Sequence, residues 1–172
     1  MIPEGQAIPY VDEEGNLLGM WLGLVPDTGF PVDKIPEDGR QKWDGSAWFY
    51  PLDVAKRISL DRLTTEFTQA MERIQSGWPL LEVLTWDKQA YEAARWEAAP
   101  VDSKPDTPFL TSLFEKCAAL GAKDTFEALV RRIRANDKAY TEAVTSIMAV
   151  RHVAETQIEA SDEPMSVTWQ FP

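Results

Sequence analysis

Acid–base, metal or thiol chemistry in this chain would fall to few residues. His152 is the one histidine, and it has no cysteine or acid at metal-ligand spacing, so an ordinary surface or core histidine is expected. Cys117 is the one cysteine. It sits on an apolar helical face, which points to a small buried hydrophobe rather than a reactive thiol. A lone cysteine forms no internal disulfide and fits a reducing cytoplasm. The acids Asp12-Glu13-Glu14 and Glu37-Asp38 fall in turns, where solvated charge is the first reading and a carboxylate acid/base pair the alternative. No glycine-rich phosphate loop, nucleophile elbow or His-Glu-Xaa-Xaa-His run occurs. The expectation is a protein without enzymatic activity, metal or cofactor.

Recognition chemistry is better supplied. The seven tryptophans are Trp21, Trp43, Trp48, Trp78, Trp86, Trp96 and Trp169. Large aromatics gather in cores and at protein interfaces, since each buries much area at low entropic cost and keeps a polar handle. Trp78, Trp86 and Trp96, on or between helices, read as core. For Trp43 and Trp48, in a hairpin with little chain to bury them, core and interface are both open. The candidate partner-binding residues are Trp43, Trp48 and Phe49, with Trp21, Trp169 and Phe171 beside them.

These residues need elements to hold them. Residues 1–52 carry six of the twelve prolines and most of the glycines, which excludes helix and suggests a small β unit. Tyr10-Val11, Glu13-Glu14-Gly15-Asn16 and Leu17 to Leu22 read as a hairpin whose Gly and Asn reach positive φ. Pro36-Glu37-Asp38-Gly39 is a turn tetrad, and Trp43 to Tyr50 reads as a tight Asp-Gly hairpin.

Beyond Pro51 the period changes. Leu60, Leu63, Phe67, Ala70, Met71 and Ile74 keep helical spacing over 53–76, with Asp53 as cap and Gly77 as stop. Trp78-Pro79-Leu80-Leu81-Glu82-Val83-Leu84 forms a connection to a helix over 86–99, capped by Thr85 and bearing Ala90, Ala93 and Ala94 on a small-residue face. Thr107-Pro108 opens a third helix over 108–120, with Phe109, Leu110, Leu113, Phe114, Cys117 and Leu120 as its face and Gly121 as its end. The longest run is 124–160, where Phe126, Val130, Ile133, Tyr140, Val144, Ile147, Ala154 and Ile158 recur every three or four residues. Asp124 and Glu127 form a candidate capping box. Asn136 and Asp137 weaken the stripe without breaking it. At 1.5 Å per residue such a rod measures about 55 Å, so other helices, a second copy or a client must cover part of it. The tail from Met165 to Phe171 alternates like a strand. The expected fold is α+β: a β-hairpin unit over 1–52, a helical domain over 53–160 and an extended tail with a short strand over 161–172, separable at Tyr50-Pro51-Leu52.

The charge of −11 argues against nucleic acid, whose phosphates draw affinity from Lys and Arg. Residues 1–52 are the acidic third, with nine acids and three bases. No apolar run is long enough to span a membrane and no secretory leader is legible, so a cytoplasmic protein without a membrane partner is expected.

The Gly15-to-Leu22 segment, the stretch Pro36-Glu37-Asp38-Gly39-Arg40-Gln41-Lys42-Trp43-Asp44-Gly45-Ser46-Ala47-Trp48 and the helix-Gly77-Trp78-Pro79-helix arrangement resemble phage tail fibre assembly proteins, including those of R-type pyocins. The resemblance is carried by the Trp-Asp-Gly hairpin and its surroundings. The helical two-thirds is similar in layout. It implies a non-enzymatic chaperone that helps the distal, receptor-binding part of a trimeric tail fibre fold and assemble in the bacterial host, and that can stay on the finished tail. The competing expectation is a structural or virion-associated helical protein, a homo-oligomer acting through its long helix.

Overall fold

The computed structural model describes residues 7–23, 26–76 and 83–172. The fold is mixed α+β. Five strands make two small antiparallel sheets: β1 (Ile8–Val11), β2 (Leu17–Trp21) and β3 (Phe30–Pro31) in the order β2-β1-β3, and β4 (Lys42–Trp43) with β5 (Trp48–Phe49). Four α-helices are described: α1 (Leu52–Gln75), α2 (Trp86–Ala98), α3 (Pro108–Ala119) and α4 (Phe126–Ala160). Contacts divide the chain into two compact units, Met1–Leu63 with Ala154–Thr168, and Thr64–Val153 with Trp169–Pro172. The division cuts α1 and α4 rather than falling at Pro51.

In the first unit, β1 and β2 pair with Ile8 opposite Trp21 and Tyr10 opposite Gly19, and a bulge at Tyr10/Val11 shifts the register. Gly15 takes φ +78°, whereas no described residue other than glycine has positive φ. The positive φ expected of Asn16 does not occur, because its backbone and side-chain N–H groups both donate to the Asp12 carboxylate and that bracing turns the chain with one left-handed residue. Tyr10, Val11, Val32, Ala55, Leu63, Ala154 and Ile158 supply this unit's buried apolar side chains. Ser59, itself buried, donates its hydroxyl to Pro164 O at 3.0 Å, and Arg62 donates to Val167 O at 2.9 Å.

In the second unit, Ala93 of α2, Leu110 of α3 and Leu129, Val130 and Ile133 of α4 form one buried cluster, with Trp96, Phe109, Phe114 and Phe126 packed around it. Phe126 stacks edge-on against both Trp96 and Phe114 at 5.5 Å. Of the tryptophans expected in the core, Trp96 packs half-buried against this cluster and Trp86 lies half-buried and edge-on to Tyr140 at 5.1 Å, while Trp78 lies outside the described residues. On α3, Leu120 leaves the apolar face. It is 90 % exposed, because it caps α3 while Gly121 and Ala122 turn back to donate to Ala118 O and Cys117 O, the paired bonds of a Schellman ending.

The helix starts differ from expectation in four places. At α2, Thr85 precedes the first turn but makes no side-chain capping bond, and its hydroxyl instead accepts from Gln89 Nε2–H at 2.9 Å. α1 begins one residue early, closed by Ala55 N–H to Pro51 O, so Asp53 lies inside the first turn and acts on the helix dipole instead of capping it. At α4 the cap is Thr125, whose hydroxyl accepts from Ala128 N–H, while Asp124 pairs with Arg132 at 2.8 Å. The Asp124/Glu127 capping box does not form, since a neighbouring Thr satisfies the same donors from the right position. At α3 the orphan amides are taken by a residue from another helix. Glu92, buried on α2, accepts Phe109 N–H at 3.2 Å and Leu110 N–H at 2.9 Å with its two carboxylate oxygens. A full negative charge thus sits on the positive end of α3. Glu92→Ala is expected to leave two amides without acceptors and cost roughly 1–3 kcal/mol, against less for Glu92→Gln, read as a fall in urea midpoint at unchanged slope.

The C-terminal strand does not form. Pro164–Ser166 is a 3-10 turn and residues 167–172 join no sheet. Alternation here reflects extended chain lying on a helix: in the second unit, Trp169 donates its indole N–H to Glu66 at 2.7 Å, and Phe171 stacks on Phe67 at 6.3 Å. Gly77 and the connection from Trp78 to Glu82 lie outside the described residues.

Candidate partner-binding site

β4 and β5 place Trp43 directly opposite Trp48. Directly opposed residues of an antiparallel pair share a face, and the two indoles meet edge to face with centroids 5.5 Å apart. The connection is not the expected two-residue turn. Four residues, Asp44 to Ala47, join the strands, because the Asp44 carboxylate accepts Ser46 N–H, Ser46 Oγ–H and Ala47 N–H and so builds a wider Asx turn around itself. Those bonds, from Ala47 and Ser46 first, hold its carboxyl below the usual carboxylate range.

The hairpin is held at three points. Trp48 Nε1–H donates to Lys34 O at 2.6 Å. The Lys34 ammonium returns to Ser46 O at 2.6 Å and lies 5.7 Å from the Trp43 ring. Trp43 N–H donates to Gly15 O at 2.8 Å, and Asn16 bridges Lys42, which ties the hairpin to the β1–β2 turn. Gly15 is required there, since a Cβ at that position would stand 2.1 Å from Trp43 O. Just before β4, buried Gln41 accepts Glu37 N–H at 2.7 Å. Asp38 accepts from Arg40 and from Tyr50 Oη–H; the Arg40 contacts hold its carboxyl well below the usual range, and the hydrogen bond to Asp38 pushes the Tyr50 phenol up. Both acidic turns of the sequence are thus used as braces: Asp12 for the first hairpin and Asp38 for the approach to the second.

The six candidate residues are not gathered in one place. Trp43, Trp48 and Phe49 share the hairpin, with both indoles half-buried and Phe49 43 % exposed. Phe49 opposes Lys42, one step along from the Trp pair, so it projects from the other face. Trp21 lies on the other sheet, half-buried and edge-on to Tyr10 at 5.7 Å. Trp169 and Phe171 are used against α1 within the second unit. Sequence reasoning missed Lys34 and Gln41, whose roles depend on partners 12 and 4 residues away and carry no local pattern.

Among the described residues, no group of three or more His, Cys, Asp or Glu could hold a metal ion, and no helix is long and apolar enough to cross a membrane. His152 is exposed and Cys117 half-buried. Comparison with models of known protein families, with curated proteins and with solved structures gave no match.

Proposed function

We propose that the chain is a non-enzymatic assembly chaperone for a phage or pyocin tail fibre, acting in the bacterial cytoplasm on the distal, receptor-binding part while it folds and trimerises. The observation that carries the reading is the Trp43–Trp48 pair, set edge to face on a braced hairpin in the acidic third of the chain. A rigid aromatic pair loses little entropy on binding, which is the make-up of an interface hot spot. The resemblance of this hairpin region to tail fibre assembly proteins supplies the client. Such a client, built from slow-folding β structure with open edges, needs transient cover against aggregation.

Homotypic packing of α4 is the weaker reading. Its exposed large apolar residues, Met148 and Val153, lie five apart, about 140° round the helix, and make no second stripe.

Co-expression with the fibre tests the proposal. Trp48→Ala removes a contact whose truncation at a hot spot costs at least about 2 kcal/mol, some thirtyfold in affinity, so soluble fibre should fall sharply while far-ultraviolet circular dichroism holds. Trp48 also braces its own hairpin, so Phe49→Ala, at an exposed position, is the companion variant. A folded Trp43→Ala, Trp48→Ala protein that still rescues the fibre sinks the assignment.

A further inference from the structure

The two tryptophans of the second hairpin are not equivalent. Trp48 uses its indole N–H inside the protein, on Lys34 O at 2.6 Å. Trp43 does not. Among the described residues its indole N–H meets no acceptor, while its main-chain N–H goes to Gly15 O. No side-chain nitrogen or oxygen among those residues is both buried and unpartnered, so the Trp43 indole N–H opens on the surface although the side chain is half-buried. The ring itself is fixed, with Trp48 edge-on at 5.5 Å and the Lys34 ammonium 5.7 Å from its centroid. A donor held in place before anything binds costs little entropy to use.

An indole N–H donates and never accepts. The charged group set against the ring is a donor too: the Lys34 ammonium keeps protons to spare beyond the one on Ser46 O. An occupant must therefore bring acceptors, and charge chooses among them. A carboxylate would approach the acidic third of a chain of net charge −11, against a field of its own sign, whereas an amide carbonyl carries no net charge. A free strand edge presents unpaired main-chain carbonyls in a row.

We propose that Trp43 is the specificity-determining residue of the hairpin: its indole N–H reads an unpaired main-chain carbonyl on an open β edge of the client. Trp48 and Lys34 are positioning residues, which hold the ring and leave that donor free. The inference rests on the proposed function in taking the hairpin as the client site, and it adds which atom reads the client and what that atom reads.

Nitrogen-15 spectra of the full chain test it, since each indole N–H gives its own signal. In the free protein the Trp43 indole proton is expected to exchange with water at least tenfold faster than that of Trp48. A blocked hexapeptide of three threonine-valine repeats then serves as the carbonyl probe and sodium acetate as the carboxylate probe. The peptide should move the Trp43 indole signal, leave that of Trp48 in place and act at lower concentration than acetate. Equal exchange of the two protons, a Trp43 signal that stays still, or acetate acting as well as the peptide overturns the proposal. Trp43→benzothienylalanine, which puts sulfur where the N–H was on a ring of the same shape, should weaken binding of the fluorescein-labelled peptide roughly three- to tenfold, the worth of one hydrogen bond, with the backbone amide spectrum unchanged. Trp48→benzothienylalanine, which strips Lys34 O of its donor, should move the backbone amides of the hairpin instead, and the reverse pattern overturns the division of roles. None of these measurements needs a fibre, so the two readings fail separately. A protein whose Trp43 signal answers the peptide but which rescues no fibre keeps the carbonyl reader and loses the chaperone function; one that rescues fibre equally well as Trp43→benzothienylalanine loses the reader alone.

Discussion

Ala135→Pro should destabilise the protein by about 3 kcal/mol or more, the largest effect expected of any single exposed position. Residue 135 is exposed and is the tenth residue of the 35-residue α4, well inside the helix, so no buried contact is lost and the whole cost is backbone. Proline there removes the amide bonded one turn back and drives its ring into the carbonyl of residue 131. Against a total stability of roughly 5–15 kcal/mol, a domain of this size should melt roughly 6–12 °C lower. Ala135→Gly, costing about 1 kcal/mol, separates the proline effect from lost propensity. The neighbours Asn136 and Asp137 make the experiment informative. Should Ala135→Pro prove mild, the run is two helices with a turn near Asn136 in solution, and the continuous rod fails.

Gly15→Ala is the second large effect, and it acts on the candidate site through the backbone. A non-glycine residue at φ +78° costs roughly 1–2 kcal/mol from the left-handed conformation alone. The new Cβ would also stand 2.1 Å from Trp43 O, so the second hairpin must move away and the Trp43 N–H bond to Gly15 O must break. Gly45→Ala is the control, since it has φ +101° and open space around its Cβ; it measures the conformational cost without the clash. We expect Gly15→Ala to abolish the near-ultraviolet signal of the Trp43–Trp48 pair while helical content stays, and Gly45→Ala to weaken it only slightly. Equal effects would mean that the Gly15 turn does not seat the hairpin.

What could be read from the residues themselves was the periodic part. Leu60, Leu63, Phe67, Ala70, Met71 and Ile74 are all buried or half-buried on α1, and the eight-residue stripe of α4 is likewise, because helical spacing is a property of the sequence alone. Glu92 shows the limit. An acid in mid-helix has no local sign that it will cap the start of the next helix, 17 residues on. The choice of Thr125 over Asp124 turns on one residue of register between two good caps. Asp44-Gly45 announced a hairpin, but the length of its loop was decided by how many donors the Asp44 carboxylate could collect. The tail shows that alternation reports extended chain, whatever it lies against. The Trp43–Trp48 pairing was legible. What remained hidden was the Lys34 clasp.

The bond from Ser59 to Pro164 O spans 105 residues, and that separation is also an interval of time. A ribosome adding about 5–20 residues per second makes Ser59 roughly 5–20 s before Pro164. The Glu66 acceptor of Trp169 waits about as long. Throughout that interval Phe67 of α1 is already made while Phe171, which stacks on it, is still to come. The nascent chain therefore passes through a stage in which Phe67 lacks its stacking partner, and lowering the rate of translation lengthens that stage in proportion.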